Sequence, residues 1–219
     1  MELVIGNKNY SSWSLRPWLA MRAAGLDFTE TVIPLDHDDT RSRILAHSPA
    51  GRVPVLHDGD VVVWESLAIC EYIAEQYPTL WPSEAKARAA ARAVSAEMHA
   101  GFMEVRKAMP MNCRRAPAKI FTTPEIDADI ARIFDIWRDC RSRYDAADGA
   151  DGADGAFLFG NFSIADAMFA PVVSRLAVYD VDMDTECAAY RDAVLTHPAM
   201  KEWLDGAAAE DWVIGRLEL

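Results

Sequence analysis

Two short polar segments of the sequence could bind the charged groups of a small ligand. Ser11 and Ser12 lie directly before a predicted helix, where hydroxyl donors and the free N–H groups of a helix N-terminus favour an anion. Glu65 and Ser66 lie at the start of a second predicted helix, where Ser66 can bind a carboxylate and Glu65 an ammonium group. The α-amino acid end of a peptide carries both of those groups.

The same residue types also form ordinary helix caps, so each segment has a second interpretation. Serine is a preferred N-cap residue, because its hydroxyl accepts a hydrogen bond from a free N–H of the first turn. Ser14 suits this role best, since Pro17 is tolerated only in the first turn of a helix. We therefore expect the first helix to begin near Trp13 or Ser14, with Ser14 as its cap.

The composition limits the classes of partner. The 219 residues include 22 basic and 34 acidic side chains, for a net charge of -12. Such an acidic surface repels phosphate backbones and anionic headgroups, which argues against nucleic acid and membrane partners. The N-terminal apolar run is too short for a secretory signal, so we expect a cytoplasmic protein. Four scattered cysteines without a C-x-x-C motif predict core residues rather than a disulfide framework or a zinc site: Cys70, Cys113, Cys140 and Cys187.

The elements that must position the polar segments follow from apolar periodicity and turn residues. Strands are predicted at 2–5, 28–33, 53–56 and 61–64, the last two joined by an Asp-Gly turn. Helices are predicted after Trp13, at 40–46 and from 66 to 77. The first 80 residues therefore have the order βαβαββα.

Beyond a linker at 78–83 only helical periods remain. One long helix carries an apolar face made of Val94, Met98, Phe102, Val105 and Met109. After a loop at 110–124, a second helix carries Ile126, Ile130, Ile133, Trp137, Cys140 and Tyr144. Residues 147–155 repeat Ala-Asp-Gly and predict a flexible acidic loop, and Ser163 with Asp166 forms a predicted capping box. Shorter helices are expected at 186–196 and 199–209.

This order of elements resembles the cytosolic glutathione transferase family, and three motifs carry the resemblance. The segment from Ser11 to Arg16 is similar to the S-S-x-S-x-R sequence of serine-type, zeta-like members, and 48–56 is similar to N-P-x-G-x-V-P-x-L. The third motif is the Glu65-Ser66 step. The resemblance implies an α/β plus all-α fold, with a thioredoxin-like glutathione-binding domain at 1–79 and an all-helical domain at 84–219 that forms the pocket for an electrophilic substrate.

In this family the loop before the first helix activates the thiol of glutathione, so the resemblance gives Ser11 or Ser12 the catalytic role. A thiol of pKa about 8.5 is mostly protonated at neutral pH, and lowering that pKa by about two units requires about 2.7 kcal/mol. One charge-assisted hydrogen bond and a helix dipole together can supply that free energy. Tyr10 is an alternative donor. Trp13 stands where the zeta pattern has a cysteine.

The other two motifs imply how glutathione is bound. The Val53-Pro54 bond is expected to be cis, which turns the backbone N–H and C=O of Val53 toward the cysteinyl part of the peptide. Glu65 and Ser66 are expected to hold the γ-glutamyl end. A cation must bind the glycine carboxylate, and the candidates are Arg41, Arg43 and Arg52.

The resemblance further implies a homodimeric glutathione transferase that uses glutathione as a co-substrate and needs no metal. Two alternatives stay open: a non-catalytic binding or scaffold protein of the same fold, and a glutathione-dependent peroxidase or isomerase. Arg16 is expected to pair with an acidic group between the domains. The pocket of the electrophile could include Trp13, Met103, Met109 and Asn112, although each of these could equally be a core or loop residue.

Overall fold

A four-stranded sheet forms the centre of the N-terminal half in the computed structural model, which describes residues 1–144 and 155–218. The strands are β1 (Glu2–Ile5), β2 (Thr29–Val32), β3 (Val55–Asp58) and β4 (Val61–Trp64), and the helices are α1 (Ser12–Ala23), α2 (Thr40–Leu45) and α3 (Ser66–Gln76). The strand order is β2-β1-β3-β4, with β1 parallel to β2 and the other pairs antiparallel. The predicted βαβαββα order is confirmed.

The described remainder of the chain consists of helices joined by turns and loops, with a longer loop at 109–123 and isolated bridges at 157–161. Its helices are α4 (Ala85–Ala100), α5 (Met103–Ala108), α6 (Pro124–Tyr144), α7 (Ile164–Val178), α8 (Thr185–Thr196) and α9 (Pro198–Ala208). A thioredoxin-like half joined to an all-helical half is the predicted fold class, which is confirmed. The predicted acidic loop falls almost wholly on residues 147–154, outside the described residues.

The predicted long helix through Val94 and Met109 is wrong, because two helices occupy that segment. The helical path is interrupted between α4 and α5, where Phe102 has a left-handed backbone conformation with a φ of 59°. At Gly101 a side chain would not fit, since a Cβ there would lie 2.9 Å from the Glu97 carbonyl oxygen. The apolar period continues across the break, which is why the pattern alone suggests one helix.

The start of α1 also differs from the prediction. The helix begins at Ser12 with Ser11 as its N-cap, so Pro17 lies in the second turn, where it cannot donate to the carbonyl of Trp13. Ser14 is not the cap. Its Oγ accepts the N–H of Gly6 at 3.0 Å and thereby ties the end of β1 to α1.

Helix α7 packs against α1 and is the main contact between the two halves. Its residues from Ile164 to Leu176 are all buried. The predicted capping box is present at its start, where the Asp166 carboxylate accepts the N–H of Ser163 at 2.8 Å. Three of the cysteines are buried as predicted, while Cys113 is only partly buried, and all four are free thiols. No helix within the described ranges is long and apolar enough to cross a membrane.

Candidate active site

A cleft of about 300 Å³ opens where the loop before β3, the start of α3 and the first turn of α1 meet. Its lining residues are Trp13, Ala50, Arg52, Val53, Pro54, Trp64, Glu65, Ser66 and His99. The cleft therefore brings together all the predicted peptide-binding residues, which are Arg52, Val53, Pro54, Glu65 and Ser66. Ser11 and Ser12 are not among the lining residues.

On one wall of the cleft, the Val53-Pro54 peptide bond is cis, as predicted. The predicted start of the strand at Val53 is wrong, because Pro54 has no N–H for the ladder and β3 begins at Val55. Within the described residues, Val53 makes no backbone hydrogen bond through its N–H or its C=O. Both groups therefore remain available to an extended ligand.

The opposite wall is the N-terminus of α3. The Ser66 side chain is the first of the helix and only 1% exposed, and its Oγ has no hydrogen-bond partner within the described residues. A buried hydroxyl without a partner costs about 1–3 kcal/mol, and the first-turn N–H groups also lack intrahelical acceptors. A carboxylate at this position would satisfy both.

Glu65 lies beside Ser66 with a backbone φ of 72°, which is uncommon for a residue with a side chain. Such a conformation costs on the order of 1–3 kcal/mol and is concentrated at binding sites. The Glu65 side chain is exposed, so its carboxylate can bind an ammonium group at the mouth of the cleft.

Of the three arginines proposed for the glycine carboxylate, Arg52 alone lines the cleft. Arg41 packs its guanidinium against Gly51, on the loop that leads to Val53. Arg43 lies 3.9 Å from Asp39 on its own helix. The geometry therefore favours Arg52.

The candidate donors near the start of α1 differ in what their hydroxyl groups already bind. Ser11 donates to Ser14 Oγ at 2.7 Å and caps the helix. The Tyr10 hydroxyl donates a hydrogen bond to the Glu218 carboxylate and accepts one from Arg114 at 3.1 Å. Ser12, which is 7% exposed, has no hydrogen-bond partner for its hydroxyl within the described residues. Ser12 is therefore the donor that is free to act on a ligand.

His99 is a lining residue that the sequence does not predict. It lies near the end of α4, and its ring meets the edge of Trp13 at a centroid distance of 5.2 Å. Its Nε2 is 3.9 Å from the Glu65 carboxylate, and its Nδ1 is buried with no hydrogen-bond partner in the described part of the chain. Burial, followed by the charges of Arg16 and Arg106, lowers the pKa of His99, while the nearby Glu65 carboxylate acts in the opposite direction. No motif marks this residue, since only packing brings α4 to the start of α1.

The prediction that Arg16 pairs with an acidic group is wrong within the described residues. Its side chain is fully buried between the halves, and Nε donates to the carbonyl of Met168 at 3.2 Å. Neither terminal nitrogen has a hydrogen-bond partner among residues 1–144 and 155–218. Burial lowers the pKa of Arg16 well below its ordinary value, and the nearby Arg106 and Arg175 lower it further.

The residues suggested for the electrophile pocket separate into two groups. Trp13 lines the cleft with 36% of its surface exposed, and Met103 is exposed on α5. Met109 is fully buried, and Asn112 is a buried residue whose Oδ1 accepts from Asn9 at 2.9 Å. The last two therefore have structural roles in this fold.

A larger cleft of about 670 Å³ lies between the end of α3 and the start of α4. Several of its polar groups already bind one another: Glu71 accepts from Trp81 Nε1 at 3.1 Å and from Arg92 Nε at 3.1 Å. Because the unsatisfied donors belong to the smaller cleft, the smaller cleft is the better candidate for a ligand site.

The fold and the cleft together define a thioredoxin-like protein with an added helical domain. Residues 10–76 match the glutathione S-transferase N-terminal domain, and residues 114–206 match the glutathione S-transferase C-terminal domain. The two matched ranges span most of the chain. The chain therefore belongs to the cytosolic glutathione S-transferase family.

Among curated relatives, the chain is 36% identical over 69 residues to a probable glutathione S-transferase GSTF2 of Oryza sativa subsp. japonica, a match covering 30% of this chain and 31% of that protein. It is 34% identical over 93 residues to a probable maleylacetoacetate isomerase of Caenorhabditis elegans, covering 42% of each. The chain thus spans about a third of the length of the first curated relatives it matches.

Solved structures match over nearly the whole chain at lower identity. A glutathione transferase homolog from Burkholderia with bound glutathione has a TM-score of 0.68 at 21% identity, covering 95% of this chain and 98% of that one. A sphingomonad glutathione S-transferase complexed with glutathione has a TM-score of 0.66 at 23% identity, covering 96% and 100%. At these identities the likeness establishes the fold.

Proposed function

We propose that this protein is a glutathione transferase, with glutathione as its co-substrate. The observation that carries the proposal is the buried Ser66 hydroxyl, which has no partner among the described residues and opens into the same cleft as the free backbone groups of Val53. A carboxylate would provide the Ser66 hydroxyl with a hydrogen-bond acceptor, and an extended peptide segment would pair with the backbone groups of Val53. A γ-glutamyl tripeptide supplies both.

The peptide binds through four contacts in this proposal. The γ-glutamyl carboxylate accepts from the Ser66 hydroxyl and from the first N–H groups of α3, while its ammonium group binds Glu65. The cysteinyl backbone pairs with the N–H and C=O of Val53, beside Pro54. The glycine carboxylate binds Arg52.

Thiol activation then depends on the first turn of α1. The Ser12 hydroxyl donates to the sulfur and the helix dipole favours the thiolate, so the thiol is deprotonated near neutral pH. The thiolate attacks an electrophilic carbon, a sulfur–carbon bond forms, and the leaving group departs with its electron pair. Residues 1–79 bind glutathione and residues 84–219 contribute the electrophile pocket.

We further propose that the protein is a cytoplasmic homodimer, in which the N-terminal domain of one subunit contacts the helical domain of the other. Size-exclusion chromatography with light scattering tests the dimer. A monomer at micromolar concentration would contradict it.

The function is tested by measuring glutathione binding by calorimetry and conjugation to a panel of electrophiles, with wild type, Ser11→Ala and Ser12→Ala. We expect saturable binding, conjugation by the wild type and a loss of activity in Ser12→Ala. Absence of binding at about 10 mM glutathione would refute the transferase and favour a non-catalytic protein. Full activity in both serine variants would refute the catalytic assignment alone.

A glutathione-dependent isomerase is the second candidate, because the Caenorhabditis elegans relative is described as a probable maleylacetoacetate isomerase. Such an enzyme adds the thiolate to a conjugated double bond and expels it again after rotation, so glutathione is not consumed. Trp13 stands where the zeta pattern has a cysteine. Glutathione consumption per product formed separates the two activities.

A further inference from the structure

The loop between β1 and α1, which leads to the candidate catalytic hydroxyls, is held by a residue of the helical half. The backbone of this loop folds into a tight turn, in which the N–H of Ser11 donates to Asn7 O at 2.8 Å. The N–H groups of Lys8 and Asn9, in the middle of the turn, instead donate to one side chain. That side chain is Glu210.

Glu210 lies just after α9 and binds the loop through both of its carboxylate oxygens. Lys8 N donates to Oε1 at 2.6 Å, and Asn9 N donates to Oε2 at 3.0 Å. Burial raises the pKa of Glu210, whereas these two N–H groups and the charges of Arg114 and Lys8 act in the opposite direction. Hydrogen bonds to an ionised acceptor are stronger than those between neutral groups. A half-buried carboxylate with two backbone donors therefore fixes the position of the turn.

The segment after α9 contacts the loop at a second place. We call this segment, residues 210–218, the strap. The Tyr10 hydroxyl donates to the Glu218 carboxylate and accepts from the N–H of Ile214 at 3.3 Å. Because the Tyr10 side chain is buried, these bonds use its hydroxyl as an anchor for the strap.

Arg114 connects the two places of contact. Its guanidinium donates to the Tyr10 hydroxyl at 3.1 Å, to Trp212 O at 2.7 Å and to Glu210 O. Its backbone N–H also donates to Asn9 Oδ1 at 2.9 Å. The strap and the loop therefore form one hydrogen-bonded unit, although the strap belongs to the helical half.

We propose that Glu210 is a positioning residue, which holds the loop so that the Ser12 hydroxyl meets the sulfur of glutathione; this rests on the proposed transferase function. The turn transmits the position of its middle residues to α1, since Ser12 N donates to Tyr10 O at 3.1 Å. A displacement of about 1 Å at a reacting group can cost on the order of 100-fold in rate. Glu210 does not touch the substrate and acts through Ser12.

The groups that bind the peptide in the proposed function belong to other elements. Val53 lies in the loop before β3, and Glu65 and Ser66 lie at the start of α3. No hydrogen bond joins any of the three to the strap in the described part of the chain. Loss of the Glu210 carboxylate should therefore weaken thiol activation and leave glutathione binding nearly intact.

Glu210→Gln tests this role, because the amide keeps one oxygen acceptor and places an NH2 group against the other backbone N–H. We expect kcat to fall by about 10-fold and the pKa of the bound thiol, read from thiolate absorbance against pH, to rise by about 1. The dissociation constant of glutathione should change by less than about 2-fold. The control is Glu202→Gln, an exposed glutamate on α9 that pairs with Arg22 at 3.3 Å and should change none of these values.

A double-mutant cycle shows whether Glu210 acts through Ser12. In a Ser12→Ala background, Glu210→Gln should leave the pKa of the bound thiol unchanged, since the hydroxyl that it positions is absent. A rise of equal size in both backgrounds would overturn the proposal. A wild-type thiol pKa and kcat in Glu210→Gln alone would overturn it too.

Tyr10→Phe gives the same test if Glu210→Gln is too unstable to assay, because it keeps the ring and removes the hydroxyl that anchors the strap. It should raise the pKa of the bound thiol in the wild-type background only. A rise in the Ser12→Ala background as well would make Tyr10 itself the thiol donor and would overturn the proposal. Loss of glutathione binding in Glu210→Gln would also overturn it, whereas failure of the wild type to bind glutathione would overturn the transferase function instead.

Discussion

The two sides of the cleft are built in different ways. The side that binds glutathione in the proposed function consists of Val53, Glu65 and Ser66, which lie within 14 residues of one another, in the loop before β3 and at the start of α3. On the other side, the lining residue Trp13 contacts the guanidinium groups of Arg16 on α1 and Arg106 on α5, which together with Arg175 on α7 form what we call the guanidinium cluster. More than 60 residues separate successive members of this cluster. Local sequence can specify the first side, whereas the second exists only after the two halves pack.

The two sides also differ in how their charges are balanced. On the first side, the Glu65 carboxylate can bind a cation, and the Ser66 hydroxyl and the N-terminal N–H groups of α3 can donate hydrogen bonds to an anion. Together these groups match a zwitterion. The cluster presents positive charge only: burial lowers the pKa of Arg16 and of Arg175, and the charge of Arg106 lowers both further. A ligand that carries both charges therefore suits the first side.

The largest effect of a single change should occur on the glutathione side. Ser66→Ala removes the buried hydroxyl that has no partner among the described residues, and a hydrogen bond to a charged group is worth about 1.5–3 kcal/mol. We expect glutathione affinity to fall by about 10- to 100-fold in calorimetry. Ser142→Ala, an exposed serine on α6, is the matched control. An unchanged affinity in Ser66→Ala would show that the carboxylate binds elsewhere.

Two adjacent serines should separate catalysis from stability. Ser12→Ala should raise the pKa of the bound thiol, seen as thiolate absorbance near 240 nm against pH, and lower kcat by about 10-fold. Ser11→Ala should instead lower the free energy of unfolding by about 1 kcal/mol, since Ser11 is the N-cap of α1. Denaturant unfolding measures the second effect. The reverse result would exchange the roles of the two residues.

These differences explain what the sequence could predict. Periodicity and the Asp-Gly turn are local signals, so the βαβαββα order and the cleft residues from Arg52 to Ser66 were predictable. The break at Phe102 was not, because the apolar stripe runs through it. His99 and Arg106 were missed because their contact with Trp13 depends on how α4 and α5 pack against α1.

The environment of Arg16 was also not predictable from the sequence. An acidic partner was predicted for Arg16, yet among the described residues its guanidinium donates to the carbonyl of Met168 and lies over the ring of Trp13. Pairing between distant groups depends on the final packing and not on nearby residues. A sequence pattern therefore identifies a buried arginine without identifying its partner.

That missing partner leads to a stability prediction for the cluster. Arg16→Met replaces an unpaired buried charge by an apolar side chain of similar length, so the free energy of unfolding should change by less than about 1 kcal/mol or increase. Arg132→Met is the control, since it removes an exposed pair with Glu97 worth at most about 1 kcal/mol. Both are measured by denaturant unfolding. A loss above about 3 kcal/mol in Arg16→Met would mean that the charge has a stabilising partner.

The smallest expected effect is on the titration of His99. Its pKa is lowered by burial, by Arg16 and by Arg106, so Arg106→Gln removes one repulsive charge and should raise that pKa. An NMR titration of the imidazole measures the change, with Lys107→Gln as the control that should not shift it. An unchanged His99 pKa in Arg106→Gln would show that the cluster does not act on the cleft.

A crystal structure of the protein with glutathione tests the central claim most directly. The predicted result has the γ-glutamyl carboxylate within hydrogen-bond distance of Ser66 Oγ, the cysteinyl backbone paired with Val53, and the sulfur nearest the hydroxyl of Ser12. Glutathione bound in the larger cleft between α3 and α4, or bound with Ser66 Oγ and Val53 still unpaired, would contradict the account.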